Sequence, residues 1–225
     1  MIRPDMFCWP VALFVLLLGA VSVTARQTPT PGNDSVVVKK EYYDNGALKE
    51  EGRFLNGKRE GVSRWYFENG FLKAEVYYSA GRRNGTLKLY YSDGALEREE
   101  FYRDSLIDGR ARYYEEGGTL AIEKNYRIGK LHGLSKFFHA NGKVEIEMNY
   151  ENDRPEGEAR TYYSSGAMQS KEQYKNGKSD GLSEFYYETG ALKMQVVYDN
   201  GVIRSKKEFD ENGHVTAEQT FPEKK

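Results

Sequence analysis

Apolar and polar residues alternate along short runs broken by Asn-Gly, Asp-Gly and similar pairs, and the whole pattern restarts about every 24 residues. Turn glycines stand at Gly46, Gly70, Gly94, Gly118, Gly142, Gly166, Gly190 and Gly213, spaced by 24 except for a final 23 (213 − 190). Four residues before each, at position −4, the side chain is aromatic: Tyr42, Tyr66, Tyr90, Tyr114, Phe138, Tyr162, Tyr186 and Phe209. At +2 it is apolar (Leu48, Leu72, Leu96, Leu120, Val144, Met168, Leu192, Val215), and at +8 aromatic again, from Phe54 and Tyr78 to Tyr198 and Phe221. Three columns persist through every copy, the mark of a repeat architecture.

Each unit reads as two strands. Asn-Gly and Asp-Gly tolerate positive φ, so "DNG", "ENG", "SDG" and "ANG" suggest a type I′ hairpin turn. In the strand that follows, +2, +4, +6 and +8 share one face, as with Leu72, Ala74, Val76 and Tyr78. A second turn, "NGKREG" at Asn56 to Gly61, carries glycine pairs such as Gly57/Gly61 and Gly177/Gly181, with Ser105 and Asp153 replacing the first glycine in two copies. No i, i+3, i+4 periodicity is sustained beyond the first 25 residues, so almost no helix is expected. Single hairpins are marginal in water, whereas stacked ones bury a shared face. The fold class expected is all-β: an elongated antiparallel β-meander of about eight 24-residue hairpins, sixteen strands along roughly 75 Å.

A two-residue turn would pair −6 with +5 and −4 with +3. The first relation matches Lys40–Glu51, Arg64–Glu75, Lys88–Glu99, Arg112–Glu123 and Lys136–Glu147, five opposite-charge pairs. The next two copies depart, with Arg160–Lys171 and Glu184–Gln195. This register favours an aromatic −4 stripe on the charged face, opposite the leucines; a slip of one residue would move it to the leucine side.

The first 25 residues differ in kind. Arg3 precedes "WPVALFVLLLGAV", and Val23 and Ala25 are small residues suited to signal-peptidase cleavage after Ala25. The apolar core is too short for a spanning helix. The reading is a signal peptide over 1–25, a disordered polar linker over 26–35 ("RQTPTPGNDS") and a repeat domain over 36–225, with no transmembrane segment after cleavage. The protein is expected to be secreted or periplasmic. Its one cysteine, Cys8, leaves with the signal, so disulfides play no part. A net charge of −1 offers no overall field for nucleic acid, and nucleic-acid binding is not expected. A mean hydropathy of −0.76 beside 14% aromatic residues fits a thin sheet with much exposed surface.

The residues "NGKREGVSRWYFENGFLKAEVYYSAGRRNG" resemble the MORN-repeat variant family, which includes the YwqK-type proteins labelled antitoxins. The resemblance spans about residues 40–221. It implies an elongated sheet serving as an interaction surface, with lipid binding and toxin neutralisation as family-level expectations.

No catalytic constellation is present, and no enzyme activity or cofactor is expected. His132, His139 and His214 are scattered, which argues against a metal motif. The simplest account of the aromatic stripe is packing between units. The functional account makes Tyr66, Tyr90, Tyr114, Phe138, Tyr162 and Tyr186 a recognition stripe flanked by Arg64, Lys88, Arg112 and Lys136. The partner expected is another protein, unidentified, with a toxin as the antitoxin-like case. A cell-wall glycan is the alternative, although Trp65 is the sole tryptophan after the signal. "FPEKK", at the C-terminus, is expected to cap the open sheet edge with a proline and charges.

Overall fold

The computed structural model describes residues 35–222 of the chain. The signal-peptide reading, the linker reading except for Ser35, and the C-terminal cap reading beyond Pro222 concern residues outside that range. Among the described residues there is one antiparallel sheet of 18 strands and no helix. The first half comprises β1 (Val36–Tyr42), β2 (Leu48–Leu55), β3 (Lys58–Tyr66), β4 (Leu72–Ser79), β5 (Arg82–Tyr90), β6 (Leu96–Arg103), β7 (Leu106–Tyr114), β8 (Leu120–Arg127) and β9 (Lys130–Leu131). The second comprises β10 (Gly133–Phe138), β11 (Val144–Glu151), β12 (Arg154–Tyr162), β13 (Met168–Lys175), β14 (Lys178–Ser179), β15 (Gly181–Tyr186), β16 (Leu192–Asp199), β17 (Val202–Phe209) and β18 (Val215–Thr220).

Strands pair with their sequence neighbours throughout, which is the expected meander. β8 pairs with both β9 and β10, two pieces of one strand parted at His132. β14 and β15 are likewise pieces of one strand parted at Asp180, both pairing with β13. Counting each split strand once leaves sixteen (18 − 2), or eight hairpins.

The type I′ geometry expected at the first turn is not found there. Type I′ geometry lies at the second turn, where Asn56 and Gly57 have φ of 50° and 77°. Its positions are left-handed even when occupied by Ala80, Ile128, Ser105 or Asp153. At Asp44-Asn45-Gly46 only the glycine is left-handed, at φ 83°. There Tyr43 N–H donates to Ala47 O at 2.8 Å and Gly46 N–H donates to Tyr43 O at 2.9 Å. Asn45 Oδ1 accepts from Ala47 N–H, so asparagine serves this turn through its side chain rather than through positive φ.

That turn geometry corrects half of the expected register. The −6 and +5 positions pair as the charges suggested, for example Arg64 with Glu75. The −4 aromatic, however, stands opposite +2 rather than +3: Tyr66 faces Leu72 and Tyr90 faces Leu96. A bulge leaves the +3 residue over in every first-turn hairpin, and the extra residue absorbs the longer turn.

The buried side of the sheet carries +4, +6 and +8 from one strand against −5 and −7 from its neighbour. Val76, Met148 and Val196 at +6 face the small, fully buried Ser63, Ser135 and Ser183 at −7. This large-against-small pairing lets one sheet layer exclude water from its own face. The face is less apolar than expected, because Glu100 and Glu172 occupy the same +6 column and are buried. Tyr102 and Tyr113 hydroxyls donate to Glu100 at 2.9 and 3.0 Å, while Ser170 and Tyr174 donate to Glu172. A buried carboxylate is tolerable when its oxygens are bonded this way.

Candidate interaction face

The opposite face holds the expected recognition residues. Across it runs a row containing one residue per strand: Lys40, Glu51, Arg64, Glu75, Lys88, Glu99, Arg112, Glu123, Lys136, Glu147 and Arg160 pair in unbroken succession. The signs alternate, so each interior charge stands between two opposite ones. Sequence reasoning found only the pairs within hairpins. The pairs between hairpins arise because consecutive hairpins stack in the same register. Arg64–Glu75 closes to 2.8 Å, Arg112–Glu123 to 2.9 Å and Lys136–Glu147 to 2.7 Å. The bond from Lys136 holds the Glu147 carboxyl below the usual glutamate range. Where Lys171 follows Arg160, two like charges meet, and Glu158 on the adjoining row forms ion pairs with both.

The −4 rings lie on this charged side, the side favoured for them, but not through the register that favoured it, since each stands opposite the +2 residue. They are two residues along the strand from −6, and their contacts agree: Tyr162 Oη donates to Glu147 and Tyr186 Oη to Glu184. Tyr66, Tyr90, Tyr114, Phe138, Tyr162 and Tyr186 are each half-buried. Burial raises the hydroxyl pKa of Tyr90, Tyr162 and Tyr186. The stripe is therefore partly embedded among the charges and partly open.

More open are two rings that sequence reasoning missed. Tyr77 and Phe101, at +7, remain 46% and 41% exposed. Tyr77 pairs with Val62 and Phe101 with Thr86, on the other flank of the charge row. They are held by glycine: a Cβ on Gly85 would sit 3.1 Å from the Tyr77 ring, and one on Gly109 3.4 Å from Phe101. An open recess of about 370 Å³ lies here, lined by Val62, Glu75, Tyr77, Thr86, Lys88 and Glu99. No repeat signal could have found it, since the +7 column is Arg53, Tyr77, Phe101, Asn125, Asn149, Gln173, Val197 and Thr220.

The histidines do separate structural work. His139 Nε2 bonds Tyr162 O at 2.9 Å, and His214 pairs with Asp210 at 3.1 Å. His132 interrupts a strand, its backbone N–H donating to Asn125 O. Among the described residues no group of histidines, cysteines and acids is placed to hold a metal.

Among solved structures, a mutant of S. aureus TarM with fondaparinux, alpha-GlcNAc-glycerol and UDP, and a second crystal structure of TarM, are each 16% identical over 53% of this chain. The TM-score is 0.25 in both cases and the chain spans 19% of the TarM length, a likeness too slight to bear on fold or activity. No curated protein matches the sequence. The repeat itself is matched at residues 37–56, 59–80, 83–104, 131–152, 155–176 and 179–200, and the two hairpins it skips, β7–β8 and β17–β18, pair in the same register as the others. On those six matches the chain belongs to the MORN repeat variant family.

Proposed function

We propose that this is an exported, non-enzymatic repeat protein whose charged sheet face binds another protein. The observation that carries the reading is the exposure of Tyr77 next to Val62 and of Phe101 next to Thr86, bordered by the Glu75–Lys88–Glu99 part of the charge row. Aromatic anchors within a polar rim are the usual composition of a protein-binding patch. An open, shallow recess suits a protein surface better than a small substrate. Export rests on Arg3, the apolar run after it, and the cleavage pattern at Val23 and Ala25. A toxin met outside the cytoplasm is one partner of this kind, and binding it would make the protein immunity-like. Tyr66, Tyr90, Tyr114, Phe138, Tyr162 and Tyr186 then form a second, half-embedded flank of the same surface.

A glycan is the second reading, favoured by the recurrence of the −4 rings once per hairpin, about 10 Å apart. One comparison separates the two. The intact protein and the Tyr77→Ser/Phe101→Ser variant are tested for capture of envelope proteins and for retention on insoluble peptidoglycan. The proposal expects a specific captured protein that the variant loses, with the melting temperature unchanged. Wall retention without any captured protein would replace it with the glycan reading.

A further inference from the structure

We propose that copies of this chain associate head to tail, with β18 of one copy adding to the edge strand β1 of the next. Among the described residues β1 pairs only with β2, and β18 only with β17. Every residue of both strands is exposed. β1 begins with three valines, Val36, Val37 and Val38, each about half exposed. An open edge with unpaired N–H and C=O groups is a template for another strand. Pro222 follows β18 outside the pairing with β17, so it does not block the strand itself.

The two edges are successive positions of one lattice. β18 is the +2 to +7 strand of the last hairpin, and β1 is the −10 to −4 strand of the first. Inside the molecule, each strand of the first kind is followed by one of the second, with +5 opposite −6, as Glu51 faces Arg64 and Glu75 faces Lys88. Applied across copies, that rule sets Glu218 of one against Lys40 of the next, Gln219 against Lys39, and Ala217 against Glu41. Lys207 already pairs with Glu218 at 3.3 Å, and Lys40 with Glu51 at 3.4 Å. The junction therefore continues the alternation as Lys207, Glu218, Lys40, Glu51.

The same charges disfavour symmetric dimers. A β1–β1 contact that keeps the row aligned sets Lys40 against Lys40, and a β18–β18 contact sets Glu218 against Glu218. Like charges directly opposite destabilise a strand pair. A head-to-tail contact leaves both outer edges free, so growth is open-ended rather than closed. The junction also lacks a bond made at most interior junctions, though not at those after Phe67 and Glu115. Where Tyr187 Oη reaches the next unit's Phe209 O, the corresponding residue of the last unit is Asp210, a carboxylate with no proton to donate. Association is therefore weak and sensitive to concentration and salt.

Sedimentation velocity over a concentration series tests the idea with the wild type and two charge reversals, Lys40→Glu and Glu218→Lys. The wild type is expected to form a spread of oligomers that grows with concentration and shrinks with added salt. Each variant alone should associate about tenfold more weakly. An equal mixture of the two should recover association, because the Glu218 end of one meets the Lys40 end of the other, and the two reversed ends also match. Recovery in the mixture excludes misfolding as the cause of the loss. A wild type that stays monomeric, a discrete two-fold dimer, or a mixture no better than its components would each overturn the proposal.

Discussion

The hydroxyl of Tyr43 donates to the main-chain carbonyl of Tyr66 at 2.7 Å, tying the first turn of one hairpin to the corresponding turn of the next. The contact recurs from Tyr91 to Tyr114, Tyr163 to Tyr186 and Tyr187 to Phe209, and His139 makes it through its ring. At the opposite tips the stitching is by backbone. The N–H of Gly81, Ser105, Gly129, Asp153, Gly177 and Gly201 donates to a residue of the preceding hairpin. Both ends of every hairpin are thus fastened to a neighbour, the nearest-neighbour coupling on which a repeat array depends.

The −3 clasp can be added or removed with one oxygen atom. Phe67 occupies this column without a hydroxyl. Phe67→Tyr is expected to reach the Tyr90 carbonyl and stabilise the protein by about 1 kcal/mol, while Tyr91→Phe should cost a similar amount. Urea denaturation of both variants measures this. Equal midpoints would mean that water serves the carbonyl as well as tyrosine does.

Ser135 and Ser183 are fully buried and their hydroxyls have no partner, whereas Ser63 Oγ accepts from Arg59 at 3.1 Å. Ala111 and Ala159 fill the same column and are buried as deeply. Ser135→Ala and Ser183→Ala should therefore stabilise by about 1 kcal/mol each, and Ser63→Ala should destabilise. Thermal melts decide it: a fall in melting temperature for Ser135→Ala would show that its hydroxyl is satisfied after all.

Ile128 holds φ at 50°, a β-branched side chain in left-handed backbone, and its side chain is exposed. The same turn position is asparagine in Asn56, Asn152, Asn176 and Asn200. Ile128→Asn keeps the N–H that donates to Asp108 and removes the strain. A gain of about 1–2 kcal/mol in unfolding free energy is expected. Asn56→Ile should lose a comparable amount, and no change in either would mean the turn relaxes around its occupant.

Alkali should unfold the protein through its buried tyrosines. Burial pushes the hydroxyls of Tyr102 and Tyr150 up to about 12 from the usual 10.0, and those of Tyr113 and Tyr174 upward as well. A raised pKa means that the fold prefers the protonated ring, so its contribution is complete below pH 10 and is lost as pH rises through the folded values. Denaturation midpoints should hold to about pH 10 and fall steeply beyond it. Tyr150→Phe, which leaves no hydroxyl to ionise in a buried site, should soften that fall. An identical pH profile for this variant would assign the loss to other groups.

Much of this architecture was legible because the repeat supplies the same information eight times. The −6/+5 charge pairs mark the strand faces in the sequence alone, since cross-strand attraction acts between residues that are directly opposite. The turn types were not legible in the same way. "DNG" and "NGK" both contain Asn-Gly, and the choice between type I′ and a longer bulged turn depends on how many residues each strand pair must accommodate. That count is settled only when Tyr66 stands opposite Leu72 rather than Lys73.

Local chemistry along the chain determined the strands, their period and the alternation of their faces, because glycine turns and two-residue periodicity act over a few neighbouring residues. Stacking decided the rest. It joined separate ion pairs into one alternating row, and it placed glutamates such as Glu100 in the buried face, where tyrosine hydroxyls satisfy them. It also left Tyr77 and Phe101 exposed over glycines. These features belong to contacts between hairpins, and a contact between hairpins exists only once the register of the whole sheet is set.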